Sequence, residues 1–318
     1  MKLENIFTIS KSNTGWHHKR HFNPLLVVMG VFLCFLVLYI VHEVVTSKFL
    51  SQRERITVGV YDNIPYVFSY DKTTNLGTII YFNPDVMVTV PGGYGWYRLG
   101  SVRLLATIEH KTNILLTQTF AQLVGAPIDA AIYLTAQDVI YEGTANFLNY
   151  FMSKRGIKTL FSKDYATSTT NLIDRLLINR ALNTSPDRLI VVDAENDYIT
   201  RDHTRYYTVE KLDSHSKGYL YQKTPAQSSV KVRVLANSKE YKAGTEIARL
   251  IEGMGIKVLS VDEVELPPSR ECTLRYGNES KRVAALLYNY FPCRLEYAKE
   301  QGIMIDFQIN TDLATLYL

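Results

Sequence analysis

Residues Pro24 to Val41 read PLLVVMGVFLCFLVLYIV, an unbroken apolar run without a charge. About 20 such residues are needed to cross a hydrocarbon core, and Val44 and Val45 extend the run past His42 and Glu43. A cleaved signal peptide would have a shorter apolar middle, about 7–15 residues, and a small-residue cleavage site. Val44-Val45-Thr46-Ser47 carries no Ala-x-Ala pattern. A buried soluble helix is the remaining reading, but nothing polar relieves either face of the run. The sequence therefore predicts an uncleaved transmembrane helix at residues 24–45, with a tail at residues 1–23 ahead of it. Lys11, Lys19 and Arg20 precede the run and Lys48, Arg53 and Arg55 follow it, so the flanking charges barely set its orientation. His17, His18 and His21 lack a nearby fourth ligand and read as polar residues beside a membrane, not as a metal site.

Beyond the anchor the chain has enough apolar material for a core. Its 318 residues are 47% hydrophobic and 21% charged, with a formal net charge of +4, which excludes a disordered polyelectrolyte. That charge is also too mild for nucleic acid. There is no basic stripe interleaved with aromatics and no basic helix-turn-helix, so no nucleic-acid partner is expected.

Strand patterns come quickly after residue 55: Ile56–Tyr61, Tyr66–Tyr70, Leu76–Phe82 and Val86–Val90. Turn residues separate them at Asp62-Asn63, Asp71–Asn75 and Asn83-Pro84-Asp85. From Asn113 the period becomes helical, with Leu116, Phe120, Leu123 and Val124 on one face and Gly125 as a stop. A second helix comes after Thr170 with a stripe of Leu172, Ile173, Leu176 and Leu177, ends before Pro186, and gives way to strand Leu189–Asp193. Alternating strands and helices predict an α/β domain over residues 55–213. Residues 214–229 are polar and read as an exposed linker.

Residues 230–318 repeat the logic in a smaller unit, predicted as β-α-β-β-α-β. Val230, Val232 and Val234 alternate on a strand; Ile247, Leu250, Ile251 and Met254 form a helical stripe closed by Gly255. Strands at Lys257–Val264 and Cys272–Tyr276 come next, then a helix through Val283 and Leu287 that Asn278 or Ser280 would cap, then a strand at Ile303–Asn310. Cys272, Leu274 and Tyr276 share one strand face, as do Cys293, Leu295 and Tyr297 of another. The two cysteines allow one disulfide in an oxidising compartment, or two free thiols facing the core.

Chemistry motifs are sparse. The chain has no nucleotide-binding glycine fingerprint, no Gly-x-Ser-x-Gly elbow and no His-Glu-x-x-His zinc helix. Pro91-Gly92-Gly93-Tyr94-Gly95 offers backbone N–H groups to an anion, but its flanking strand patterns favour a hairpin turn. His203, after Arg201-Asp202, reads as a solvated loop rather than a base. Asp174-Arg175 and Asp187-Arg188 read as surface or capping pairs.

Leu76-Gly77-Thr78-Ile79-Ile80-Tyr81-Phe82-Asn83-Pro84-Asp85 and the alternating Val86–Val90 before Pro91-Gly92 resemble the LytR-CpsA-Psr family of bacterial cell envelopes. The stretch looks like the family's apolar strand, turn, alternating strand and Pro-Gly in that order, with Pro84-Asp85 standing where the family's turn has Arg-Asp. Tyr97-Arg98-Leu99-Gly100-Ser101 is similar to the basic segment that comes next in the family. Leu123-Val124-Gly125-Ala126-Pro127-Ile128-Asp129 is similar to the family's helix exit. Residues 230–318 resemble the C-terminal domain often appended to that family. The fold class expected is thus α/β: an N-terminal transmembrane helix, a diverged LytR-CpsA-Psr-like domain and a small C-terminal domain.

The resemblance implies an envelope protein with residues 1–23 in the cytoplasm and everything after the helix outside. It implies a glycopolymer carried on a polyprenyl pyrophosphate, or cell-wall glycan, as partner. Such chemistry needs arginines to clamp a pyrophosphate and carboxylates to hold Mg²⁺. This chain keeps Asp85 but has Pro84 in place of the arginine, and the Arg-rich segment expected later is not recognisable around Asn171–Arg180. Arg98 and Arg103 are the substitutes available. Asp85, Arg98 and Arg103 are therefore the candidate ligand-binding residues, with no catalytic residue assigned and Mg²⁺ required only if activity survives. The reading is a degenerate relative that binds or scaffolds wall material. The alternatives are an active phosphotransferase and an unrelated anchored α/β protein.

Overall fold

The computed structural model describes residues 24–47, 50, 54–61, 64–133, 172–182, 186–216, 218–265 and 271–317. The chain divides into two units, Met1–Glu43 and Val44–Leu318. Within α1 (Pro24–Thr46) the stretch Val28–Thr46 is long and apolar enough to cross a membrane, and Cys34 lies in it as a free thiol. The expected histidine group at 17–21 lies outside the described residues.

The second unit begins with a meander, β1 (Arg55–Tyr61), β2 (Tyr66–Asp71) and β3 (Leu76–Tyr81), each antiparallel to the next. β6 (Ala130–Tyr133) joins β1 and β7 (Leu189–Asp193) joins β3, both parallel, which gives the order β6-β1-β2-β3-β7. Successive side chains go to opposite faces of a strand, and here both faces are buried. Ile56, Val58, Val60, Ile79 and Tyr81 meet Ile178 and Ala181 of α4 (Leu172–Leu182) on one face. Val67, Ile80 and Phe82 meet α2 (Val102–Ile108) and α3 (Thr112–Val124) on the other. Gly59 has no Cβ, and the Phe120 ring of α3 occupies the space one would need.

A small second sheet, ordered β5-β4-β9-β8, lies against the same α3 core. β4 (Met87–Val90) and β5 (Gly95–Arg98) form the hairpin expected of the Gly92–Gly95 turn. β8 (Tyr198–Arg201) and β9 (Thr204–Tyr207) form another, with exposed Asp202 and His203 at φ 47° and 61° as its central residues. Two positive φ angles in a two-residue loop define the turn type that suits strand twist. His203 is thus a turn residue.

α5 (Val209–Ser216) and α6 (Lys223–Ala226) lead to the last sheet, ordered β11-β10-β14-β12-β13. Its strands are β10 (Lys231–Ala236), β11 (Lys257–Glu263), β12 (Thr273–Tyr276), β13 (Arg294–Tyr297) and β14 (Met304–Gln308). α7 (Tyr241–Gly253), α8 (Lys281–Tyr290) and α9 (Thr311–Tyr317) complete it. The expected β-α-β-β-α-β order therefore also takes in the strand expected around Cys293, Leu295 and Tyr297, which is β13, and gains a closing helix. Cys272 and Cys293 form a disulfide.

Four expectations are corrected. Leu220 and Gln222, placed in an exposed linker, are buried, and the Gln222 N–H donates to Met254 O at 3.0 Å. α4 turns Asp174, Ile178 and Ala181 inward while Leu176 is 46% exposed, because tertiary contacts select a face rotated from the apolar stripe. Asp174, expected at the surface or as a cap, is buried and accepts the Ser47 hydroxyl at 2.6 Å. Ser280 occupies the N-cap position of α8 without capping it. Its hydroxyl instead bonds Gly277 and the carbonyls of Gly302 and Met304, tying two turns together.

Candidate functional site

The segment carrying Asp85 leaves β3 at its carboxyl end. Phe82 remains in the core, then Asn83-Pro84-Asp85 turns the chain into β4. Proline cannot donate a backbone hydrogen bond and fixes its φ, which suits a turn. Asn83 Oδ1 accepts the Asp85 N–H at 2.9 Å, so the turn is closed locally and the Asp85 side chain is exposed.

Two backbone bonds then bring the basic segment alongside. The Leu99 N–H donates to Val86 O and the Gly100 N–H to Pro84 O, each at 2.9 Å. A Cβ at Gly100 would come within 3.1 Å of Pro84 Cβ, so glycine permits this approach. Arg98 is exposed at the end of β5, and Arg103 is half-buried in the first turn of α2. The structure thus places the chain segments of Asp85 and Arg98 side by side, with Arg103 a little over one helical turn beyond Leu99. Among the described residues Asp85 and Arg98 make no ion pair with each other.

The other well-placed arginines serve the fold. Arg55 donates to Tyr219 O at 2.6 Å and to Ser69 Oγ at 3.3 Å, with Asp71 at 3.7 Å. Burial pulls its pKa down, and Asp71 opposes that pull. Arg249 of α7 makes a forked contact with Asp213 and donates to Gln122 O, joining α7 to α3 and α5. Asp129, at the end of the Pro-Ile-Asp segment, is buried and accepts the Thr57 N–H at 2.8 Å, while its own N–H donates to Thr57 O. That carboxylate locks the entry of β6 beside β1.

One residue at the site has no signal in the sequence. Tyr207 of β9 is buried, and its hydroxyl accepts the Asn83 N–H at 2.8 Å from 124 residues away. Its ring meets Phe82 edge-on at 5.8 Å. Burial raises the pKa of its phenol beyond the ordinary tyrosine range. Tyr207→Phe leaves that backbone N–H buried and unpaired, at a cost of about 1–3 kcal/mol. Urea denaturation measures this loss, and the amide exchange of Asn83 should rise with it.

A cleft of about 170 Å³ lies between β4, α3 and α7, lined by Thr119, Gln122, Tyr207, Lys242 and Glu246 among others. Among the described residues no three His, Cys, Asp or Glu side chains converge as metal ligands. Asp85 is the one carboxylate of the candidate set, and Mg²⁺ is commonly held by one or two carboxylates together with substrate phosphates.

No protein-family model matches the chain, and no curated protein matches it. Solved structures similar to it include TagT of B. subtilis, at 10% identity and TM-score 0.34, covering 51% of this chain and 87% of that one. TagV of B. subtilis is similar at 10% identity and TM-score 0.36, covering 51% and 94%. A third, the LytR-CPS2A-psr family protein YwtF (TagT) with bound octaprenyl pyrophosphate lipid, gives 10% identity and TM-score 0.29 over 51% and 87%. These structural neighbours are LytR-CpsA-Psr family proteins. At such identity the chemistry of this chain rests on its own residues.

Proposed function

We propose that this chain is a diverged LytR-CpsA-Psr relative, held in the cell membrane by α1 with the rest outside, that binds or scaffolds wall glycopolymer without transferring it. The observation that carries the reading is the pair of bonds from Leu99 and Gly100 to Val86 and Pro84. They set a basic segment beside the turn where the resemblance predicts an anion clamp. At that turn proline replaces the guanidinium, and Pro84 is already engaged against Gly100. A charge-assisted hydrogen bond contributes about 1.5–3 kcal/mol, so each missing guanidinium contact weakens a pyrophosphate clamp severely. Arg98 and Arg103 still attract the phosphates of a glycopolymer. The Cys272–Cys293 bridge fits an oxidising compartment and so favours the outside placement.

Co-sedimentation of the unit from Val44 onward with purified wall material tests this. Binding should survive Asp85→Ala and fall about tenfold or more in Arg98→Ala/Arg103→Ala. Mass spectrometry of its organic extract should find no stoichiometric polyprenyl pyrophosphate. A bound lipid, together with Mg²⁺-dependent transfer that Asp85→Ala abolishes, would establish the transferase instead. Failure to sediment with walls would remove the binding reading.

A further inference from the structure

β13 is the outermost strand of the C-terminal sheet, and all four of its residues are exposed. Natural edge strands are blunted by shortness, by charged side chains (lysine above all), by proline or by a bulge. The opposite edge of this sheet, β11, has such devices: Lys257 and a register shift against β10. Arg294-Leu295-Glu296-Tyr297 is short and charged, but its two charges are of opposite sign and can pair across an edge, and it has no lysine, proline or bulge. Its bonding direction is fixed, because the N–H groups of Arg294 and Ala298 donate to Cys272 O and Tyr276 O of the β12 side. Leu295 and Tyr297 consequently turn their N–H and C=O groups to the open edge.

Beside this edge lies a groove of about 600 Å³, lined by Tyr288, Cys293, Leu295, Leu313 and Leu316 among others. Tyr288 is 45% exposed, Leu295 39%, Tyr297 53% and Leu316 40%. Large apolar groups exposed together beside an open strand mark a surface for association.

We propose that a second copy of this chain pairs with β13, antiparallel, about a two-fold axis through Leu295. Three features of the strand select this occupant and register. Hydrogen bonding requires outward-facing residues to oppose each other, so Leu295 meets Leu295 of the partner and Tyr297 meets the position of Cys293. In that register Arg294 directly opposes Glu296 of the partner, twice, across the close non-hydrogen-bonded positions. An axis through Arg294 or Glu296 would instead oppose like charges. Within its own chain Glu296 already has Arg275 at 3.6 Å, so the pairing closes a line of alternating charge. On the other face, each Tyr297 would enter the partner's groove beside the disulfide, covering the exposed apolar side chains. A surface that is complementary to itself gives a closed, symmetric pair.

The test uses charge reversal in the full chain in detergent, with polypeptide mass measured by light scattering. Wild type should be a dimer. Arg294→Glu and Glu296→Arg should each be monomeric, since each opposes like charges twice, and both residues are exposed, so folding is retained. An equimolar mixture of the two variants should associate, because one strand is then wholly acidic and its partner wholly basic at these positions. A monomeric wild type, a reversed variant that remains dimeric, or a mixture that stays monomeric would each overturn the proposal.

Discussion

Phe120→Ala should lower the stability of the unit from Val44 onward by about 3–5 kcal/mol, the range for emptying a fully buried aromatic site. Phe120 is completely buried. Its ring lies 4.4 Å from that of Tyr61 and 6.5 Å from that of Phe82, measured between centroids. It also covers the bare backbone of Gly59. The surrounding sheet is paired on both sides by β2 and β6 and cannot collapse into the void. A cavity that cannot relax lies at the costly end of the range.

The glycine supplies the control. A Cβ at residue 59 would overlap the Phe120 ring, so Gly59→Ala alone should cost about 1–3 kcal/mol by overpacking. In the Phe120→Ala background the same change fills part of the void and should be neutral or stabilising. A double-mutant cycle by denaturant unfolding measures the coupling. An equal cost in both backgrounds would mean that the ring and the glycine do not share that space.

Opening the Cys272–Cys293 bridge, by Cys272→Ala/Cys293→Ala, should destabilise the C-terminal sheet by about 3 kcal/mol. The bridge spans 21 residues, and closing a loop of that size removes roughly this much entropy from the unfolded chain. It lies one residue ahead of the Thr273↔Arg294 pair at which β12 and β13 begin their parallel ladder. The register of that ladder is therefore set at its first rung. Calorimetry should record a midpoint lower by roughly 6–12 °C for a unit of this size. An unchanged midpoint would show that packing of Leu274 and Leu287 alone holds the sheet.

Elements whose own residues carry a period were legible in advance. The three meander strands and α3 with its Gly125 stop fall within a residue or two of their expected bounds, and α7 ends two residues before its expected Gly255 stop but begins at Tyr241, ahead of its apolar stripe. α4 was legible as a helix but not in orientation, since burial of Asp174 through Ser47 depends on a group 127 positions away. α2, β8 and β9 are too short for a period to identify them. The disulfide stayed undecided in sequence because inward-facing cysteines suit either state.

The candidate site divides the same way. Asp85 and Arg98 are legible as a turn carboxylate and a nearby basic residue, through a resemblance in their flanking segments. Tyr207 is not, because the bond that ties it to the site, from the Asn83 N–H, crosses 124 residues and leaves no local pattern. By itself the sequence determined what neighbouring residues decide among themselves: an apolar helix, strand and helix periods, and turns where glycine or proline stops them. Only the tertiary structure decided which strands share an edge, which helix face turns inward and which charges oppose one another. Those outcomes depend on pairings between distant segments, and loop closure lets many such pairings compete until burial and hydrogen bonding select one.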